Sequence, residues 1–393
     1  MWKPITTTIL AFFLAATAAK AQQDYSFVTV DSTTYALYEK AAWKELLIYG
    51  KDAIANNQDF IYLRLRLGYA AFMTGNYAEA LRHYKKVLKE DSYNSTAHYF
   101  IYWSRINLNQ PELAMAEIKY LNPGMLPRKN TNPAAITGVD LEFSYKQTTA
   151  ASRQNPLYAR FGLGNRFGYG VHMQQSIATY QQKISEPLLT AVTNNTNINI
   201  NQFEYYNRLL FNLGRGWQLK TAWHYLYTPF NNFKYNNHLV LAGLKYNGNY
   251  FDFQADAVLG TLTDTSQQQY NLQLGLYPLG NFNLYSFSTA SIRQREGESA
   301  FNFRQVLGVK IIKNIWLEGH LTAGEFRNLA ENDALYVYHA IDPNKSKAGI
   351  TSYIFLGGTT ILQLGYTHEK RQLFGTTTTF QQHSITGGLS WKF

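Results

Sequence analysis

The chain has 393 residues, with 36 Lys and Arg against 26 Asp and Glu, a formal charge of +10 and no cysteine. Disulfide frameworks, cysteine-ligated metal centres and thiol nucleophiles are therefore excluded. Aromatic residues reach 16 %, almost as many as all charged residues together, and mean hydropathy is −0.30, which excludes both extensive disorder and a bundle of membrane-spanning helices.

Lys3, an apolar stretch from Ile9 to Ala19 and the small-x-small triplet Ala19-Lys20-Ala21 predict a cleaved export signal over residues 1–21, with the mature chain starting near Gln22. The positive charge is spread along the chain and gathers in no basic run. Together with export, this argues against a nucleic-acid partner.

From Thr34 to Leu121 apolar residues recur at helical spacing with a period of about 34 residues. In the central unit Leu67 and Gly68 fall in a first helix, Gly75 at the turn, and Tyr77, Ala80 and Tyr84 in a second. Gly68 and Ala80 are small where two antiparallel helices cross closely, while the tyrosines fill the groove against the next pair. Ser95 starts a second unit, whose later helix opens at Pro111. The segment resembles tetratricopeptide repeats, placing a helical-repeat part over residues 22–130. A repeat surface of this kind serves a periplasmic protein partner, or is a foundation for the C-terminal part of the chain.

After Pro123, Pro127 and Pro133 the period changes to two, and residues 131–393 are expected to be strands. The last of them shows the pattern clearly: Ile385, Gly387, Leu389, Trp391 and Phe393 alternate with Ser384, Thr386, Gly388, Ser390 and Lys392. Strands of about ten residues with one apolar and one polar face fit a transmembrane β-barrel, which must close because lipid satisfies no free sheet edge. Fourteen antiparallel strands are expected, with twelve as the alternative. A soluble β-sandwich or jelly roll is the competing architecture.

Connections are expected to alternate in length. Tight turns are placed at Gly164-Asn165, Gly214-Arg215-Gly216, Asn247-Gly248-Asn249, Leu279-Gly280-Asn281, Lys313-Asn314 and Gly357-Gly358. Longer connections are placed at 148–155, 185–197, 228–237, 263–267, 294–299, 327–347 and 371–379. The stretch Ala334 to Ile341 also alternates, but a further span would break the parity of the barrel, so it is assigned to a long external hairpin. Loop aromatics Phe230, Phe233, Tyr235, Tyr336, Tyr338 and Phe374 are candidates for contact with a glycan or lipid headgroup.

The polar register would line the lumen. Its charged candidates are Glu142, Arg160, Glu204, Arg208, Lys220 and Asp252, with Asp256, Arg304, Lys310, Glu318 and His320 further along the chain. Both signs are present, so they either wet a pore or pair across it. Trp391 and the terminal Phe393 are similar to the signal by which bacterial outer-membrane barrels are recognised for insertion. No G-x-S-x-G, H-E-x-x-H or Walker A sequence occurs, and neither a metal site nor a cofactor is indicated.

Export signal, short repeat segment, barrel and the closing Ser390-Trp391-Lys392-Phe393 together resemble the YaiO-type outer-membrane β-barrel family; the order of parts is also similar to exporters of secreted polysaccharide. The resemblance implies the bacterial outer membrane as location, with the lipid bilayer and the barrel-insertion machinery as partners and the helices in the periplasm. Function is expected to be a channel or transport component for a polar solute or glycan, with the periplasmic repeats serving partner docking or gating. The alternatives are an envelope assembly or scaffold protein and a barrel enzyme acting on lipid or lipopolysaccharide.

Overall fold

A computed structural model describes residues 25–122, 124–126, 132–185, 198–230, 233–324 and 326–393. The expected export signal and the boundary near residue 131 lie outside them. Six helices come first: α1 (Phe27–Glu39), α2 (Trp43–Ala55), α3 (Ile61–Met73), α4 (Tyr77–Glu90), α5 (Ser95–Asn107) and α6 (Pro111–Ala114), the last running into a 3-10 turn, Met115–Tyr120. Asn76 and Asn94 cap α4 and α5, accepting from the backbone N–H groups of Glu79 and Ala97 and so satisfying donors that no helix can pair internally.

The spacing read in the sequence is borne by contacts. Leu67, Ala80 and Tyr84 are buried, Gly75 takes a left-handed turn at φ +77°, and a Cβ on Gly68 would strike the Tyr84 ring. Tyr77 packs edge-on against Phe72, and Tyr84 stacks on Phe100 at 5.3 Å. Close helix crossing therefore depends on glycine at position 68 and an aromatic ring at 84.

One titrating contact holds α5 to the 3-10 turn. His98 Nδ1 lies 2.6 Å from Glu117, its Nε2 lies 3.0 Å from the Ser92 carbonyl, and its ring stacks on Tyr120. Burial opposes the imidazolium, but the hydrogen bonds to Glu117 and Ser92 and the nearby carboxylates outweigh it, so the His98 pKa rises above its ordinary 6.5. A raised pKa means the folded state holds the proton more tightly than the unfolded chain. Its contribution is complete below the ordinary value and is lost as pH climbs through the folded one. Thermal melts of the helical part should therefore show His98→Gln destabilised relative to the parent at about pH 5.5, with the gap narrowing toward about pH 8. A gap that is flat with pH would show that the contact carries no charge.

Fourteen strands then close into one antiparallel barrel among the described residues. They are β1 (Ala134–Thr148), β2 (Leu157–Phe167), β3 (Val171–Ile184), β4 (Ile198–Gly214), β5 (Trp217–Phe230), β6 (Phe233–Asn247), β7 (Phe251–Leu262), β8 (Thr265–Leu276), β9 (Leu284–Arg295), β10 (Glu298–Ile312), β11 (Ile315–Gly324), β14 (Asn344–Leu356), β15 (Thr360–Gln372) and β16 (Thr379–Lys392); β12 (Ala330–Glu331) and β13 (Tyr336–Val337) form a separate small hairpin. The first and last strands seal the wall, with Val139 opposite Trp391 and Tyr145 opposite Ile385. No edge remains, and the exterior is a belt of exposed apolar side chains, Leu141, Phe161, Leu244, Leu272, Leu307 and Leu364 among them. An exterior of this kind suits lipid and would aggregate in water.

Several connections differ from expectation. Gly164 lies inside β2, where its missing side chain makes room for Thr137; the turn falls at Gly168, at φ +64°. Three connections expected to be long are tight. Thr263 and Asp264, and likewise Glu296 and Gly297, all have positive φ, the conformation of two-residue hairpins whose twist matches their strands, while β5 ends at Phe230 and β6 begins at Phe233. Residues 186–197 lie outside the described set. The largest correction concerns 326–343, which is not an external hairpin: it folds into the barrel.

The helices sit on the barrel end formed by the short turns. The Ala78 N–H donates to the Gly280 carbonyl at 2.9 Å, Asn281 donates to the Gly75 carbonyl at 2.9 Å and Lys85 to Asn249 at 2.8 Å. Asn212 reaches the Glu112 carbonyl and Arg166 the Met115 sulfur.

Candidate functional site in the lumen

An inward loop needs both a place to bury its apolar atoms and partners for its backbone. The wall provides the first on β4 to β7, where Tyr206, Leu226, Leu239, Leu241, Val258 and Leu262 stand on the inward register, fully or nearly fully buried. Ala330 and Ala334 of the loop are buried among them, with Leu335 and Val337 packed alongside. The second comes from glutamines. Gln269 donates to the Ala330 carbonyl at 2.7 Å and accepts from its N–H at 3.0 Å, and Gln267 donates to the Asn328 carbonyl at 3.0 Å. Tyr206 donates to the Asp333 carbonyl at 2.9 Å, and the His224 ring lies 2.7 Å from that of Ala334.

At the loop tip Asn332, Asp333 and Ala334 are consecutive left-handed residues, with φ of 53, 58 and 63°, a conformation that disfavours alanine in particular. Strain there is offset by charge. Asp333 accepts from Arg208 at 2.8 Å, from Lys220 at 2.9 Å and from Gln254 at 2.8 Å. Nearer the loop ends, Glu331 pairs with Lys347 at 2.7 Å and Asp342 receives a two-pronged contact from Arg153 at 2.7 and 2.8 Å. Glu331 and Asp342 are buried, Asp333 keeps 10 % of its side chain exposed, and all three are multiply bonded, the condition under which an ion pair holds a specific geometry.

The eleven charges predicted to line the lumen divide into three groups. Arg208, Lys220, Glu142 and Arg304 touch the inserted loop: the first two through Asp333, Glu142 through the Tyr336 hydroxyl at 2.5 Å and Arg304 through Asn332 at 2.9 Å. Arg160, Glu204, Asp256, Glu318 and His320 bond to, or lie against, the wall. Arg160 pairs with Asp140 and Glu142, Glu204 lies 3.3 Å from His224, Asp256 accepts from Gln254 and Asn271, Glu318 accepts from Tyr285 at 2.8 Å, and His320 lies beneath Gly349, whose missing Cβ leaves it space. Asp252 and Lys310 sit toward the helix-capped end. There Asp252 meets Tyr277 and Lys245, and Lys310 stands over Trp316 at 4.5 Å.

Sequence reasoning did not name Glu331, Asp333, Asp342, Arg153 or Lys347. A signal was nonetheless present: Leu226, Leu239, Leu241 and Val258 are apolar on a register where a water-filled lumen needs polar side chains. Of the loop aromatics, Tyr336 and Tyr338 lie inside the barrel, where Tyr338 also bonds Glu331 and Lys347. Phe374 stacks under Arg327 at the rim; the side chains of Phe230 and Phe233 lie outside the described residues.

Two polar cavities remain beside the loop. One, of about 380 Å³, holds the carboxylates Glu142, Glu204, Glu318, Glu331 and Glu369 against the cations Lys146, Arg304, Lys347 and Arg371. The other, of about 360 Å³, is lined by Arg208, Lys220, Asp256, Asn271, Gln273 and Asp333 among others. Among the described residues no group of three or more His, Asp or Glu is placed to hold a metal ion.

Closed wall, apolar exterior and occluded polar interior define an outer-membrane-type β-barrel carrying an inserted loop. No protein-family model matches the chain, and no curated protein matches it. Among solved structures it is similar to a Pseudomonas aeruginosa FadL homologue, at 7 % identity and a TM-score of 0.46 over 71 % of this chain and 92 % of that one. It is also similar to the Acinetobacter baumannii outer-membrane protein Omp33, at 8 % identity and 0.39 over 66 % and 99 %. A third similar structure is the TodX deltaS2S3 mutant monoaromatic hydrocarbon channel, at 6 % and 0.46 over 67 % and 91 %.

Proposed function

We propose that this protein is a bacterial outer-membrane channel for a polar solute, closed in the described conformation by residues 326–343. The observation that carries the reading is the pair of polar cavities flanking a loop inside a sealed barrel. Ion pairs and glutamine side chains grip the loop without any covalent tie, so a conducting state needs only its displacement, a change of the hinge or order–disorder kind. The helices, read as periplasmic tetratricopeptide-like repeats, cover the short-turn mouth and supply a docking face for a periplasmic partner. Trp391 and Phe393, exposed and stacked on each other at 5.9 Å, are the proposed mark for the barrel-insertion machinery. A YaiO-type assignment accords with this order of parts.

The test is single-channel conductance of the full chain in a planar bilayer, compared with a variant in which residues 329–340 are replaced by a short Gly-Ser link. Brief or absent openings in the parent and steady current in the variant are expected. Silence from both would overturn the channel reading. The apolar patch beneath the loop favours the second reading in that case, a filled barrel that anchors the helices for envelope assembly.

A further inference from the structure

The larger cavity has the chemistry of a site rather than of a wetted wall. Five tyrosines line it: Tyr158 and Tyr180 from the wall at β2 and β3, Tyr353 from β14, and Tyr336 and Tyr338 from the loop. The rings of Tyr158 and Tyr336 lie 6.4 Å apart, tilted at 53° to each other. Flat rings mixed with hydroxyls, carboxylates and amides match a molecule with apolar C–H faces and a rim of hydroxyl groups.

Unspent hydrogen-bonding capacity points the same way. The Tyr158 hydroxyl, the Ser384 hydroxyl and the Nε atoms of Arg304 and Arg371 are buried without a partner among the described residues, and all four residues line this cavity. Buried polar atoms left unpaired are costly, so groups of this kind in one cavity call for a polar occupant. Charge narrows the class. Five carboxylates against four Lys and Arg nearly cancel, so the cavity has no excess field to draw a strongly charged ion. Its volume, about 380 Å³, stands toward the small end of the range for small-molecule sites.

We propose that this cavity binds a neutral saccharide of one or two rings, stacked on the tyrosines and bonded through the unpaired hydroxyl and guanidinium groups. The proposal deepens the channel reading by naming its solute class, and rests on that reading only for how the sugar arrives and leaves.

Isothermal titration of the full-length, detergent-folded protein tests it at equilibrium, with maltose, cellobiose and chitobiose as neutral probes and digalacturonate as the acidic one. Saturable binding of at least one neutral probe is expected, weakened about tenfold or more in Tyr353→Leu and Tyr158→Leu, which remove a ring without touching the loop's ion pairs. Tyr158→Phe keeps the ring and removes only the hydroxyl. It should weaken binding about threefold and covers the case in which a leucine variant fails to fold, as judged by heat-modifiable migration on gels. Absence of saturable binding by all neutral probes, tighter binding of digalacturonate, or affinity indifferent to every folded variant would each overturn the proposal. Binding by the parent with silence from both the parent and the loop-replaced variant would keep the site and sink the channel; current from the loop-replaced variant with no neutral probe bound by the parent would do the reverse.

Discussion

Asp333→Ala is expected to convert a closed barrel into a conducting one. The substitution leaves the buried Lys220 and the partly exposed Arg208 around an empty position, without the carboxylate both now contact at 2.9 and 2.8 Å. Breaking a buried pair by removing one partner costs roughly 3–5 kcal/mol, because the charge left behind is not resolvated. At about 1.4 kcal/mol per factor of ten, the balance between inserted and released loop moves by about a hundred- to several-thousandfold. Loop strain adds to the push, since three consecutive left-handed residues at the tip relax once the anchor is gone. The measurement is open probability in a planar bilayer. A companion variant separates charge from contact: Asp333→Leu combined with Arg208→Met and Lys220→Met replaces the cluster by apolar side chains, a change that is often neutral, and should close the barrel again. Equal, low current in Asp333→Ala and the parent would show that the apolar patch alone keeps the loop in place.

Tyr84→Ala should dismantle the helical part while leaving the barrel intact. Tyr84 is 1 % exposed, stacks on Phe100 and fills the space over Gly68. Truncating a buried aromatic ring to alanine costs about 3–5 kcal/mol, as lost transfer free energy plus a cavity. A helical domain of this size commands about 5–15 kcal/mol in all, so the loss is a large fraction of its stability. Far-UV circular dichroism and protease digestion should report loss of helix at physiological temperature, while the barrel keeps its heat-modifiable migration. The two parts respond separately because Tyr84 belongs to a core made only of residues from the helical part, while the barrel is met elsewhere, by the hydrogen bonds around Gly280, Asn281 and Asn249 and by Tyr169 against the cluster of Tyr102, Met115 and Ile118. Loss of both together would make the helices an integral part of the barrel's stability, and protease resistance equal to the parent's would refute the packing argument.

Much of this architecture is legible in the chain because it arises from local periodicity. Alternation in strands such as Ile385-Gly387-Leu389 reflects a wall with lipid on one side and polar groups on the other, a two-residue pattern that needs no distant partner to be read. The parity of fourteen came from the same pattern. Gly68, Gly75 and Tyr84 were legible for a similar reason, since helix pairs of about 34 residues pack mainly on their sequence neighbours. Turn lengths were harder. Thr263-Asp264 and Glu296-Gly297 lack the glycine pairs that mark tight hairpins, and only the strand register forces their positive φ.

The inserted loop is a different matter, and the physical reason is distance along the chain. Asp333 and Arg208 are 125 residues apart, and Arg153 and Asp342 are 189 apart. Residues 326–343 by themselves look like an external connection with mixed polarity. Their place inside the barrel is decided by apolar side chains on the inward faces of β5, β6 and β7, by two glutamines on β8 and by cations on β4 and β5, none of which marks a site until the sheet has closed. The sequence by itself determined the wall, its two-faced chemistry and the helical preface, because each is written at short range, and left the strand count between fourteen and twelve until the register closed it at fourteen. Tertiary structure alone decided whether the lumen is open, because that depends on burying a loop's charge and apolar surface against groups that only barrel closure brings together.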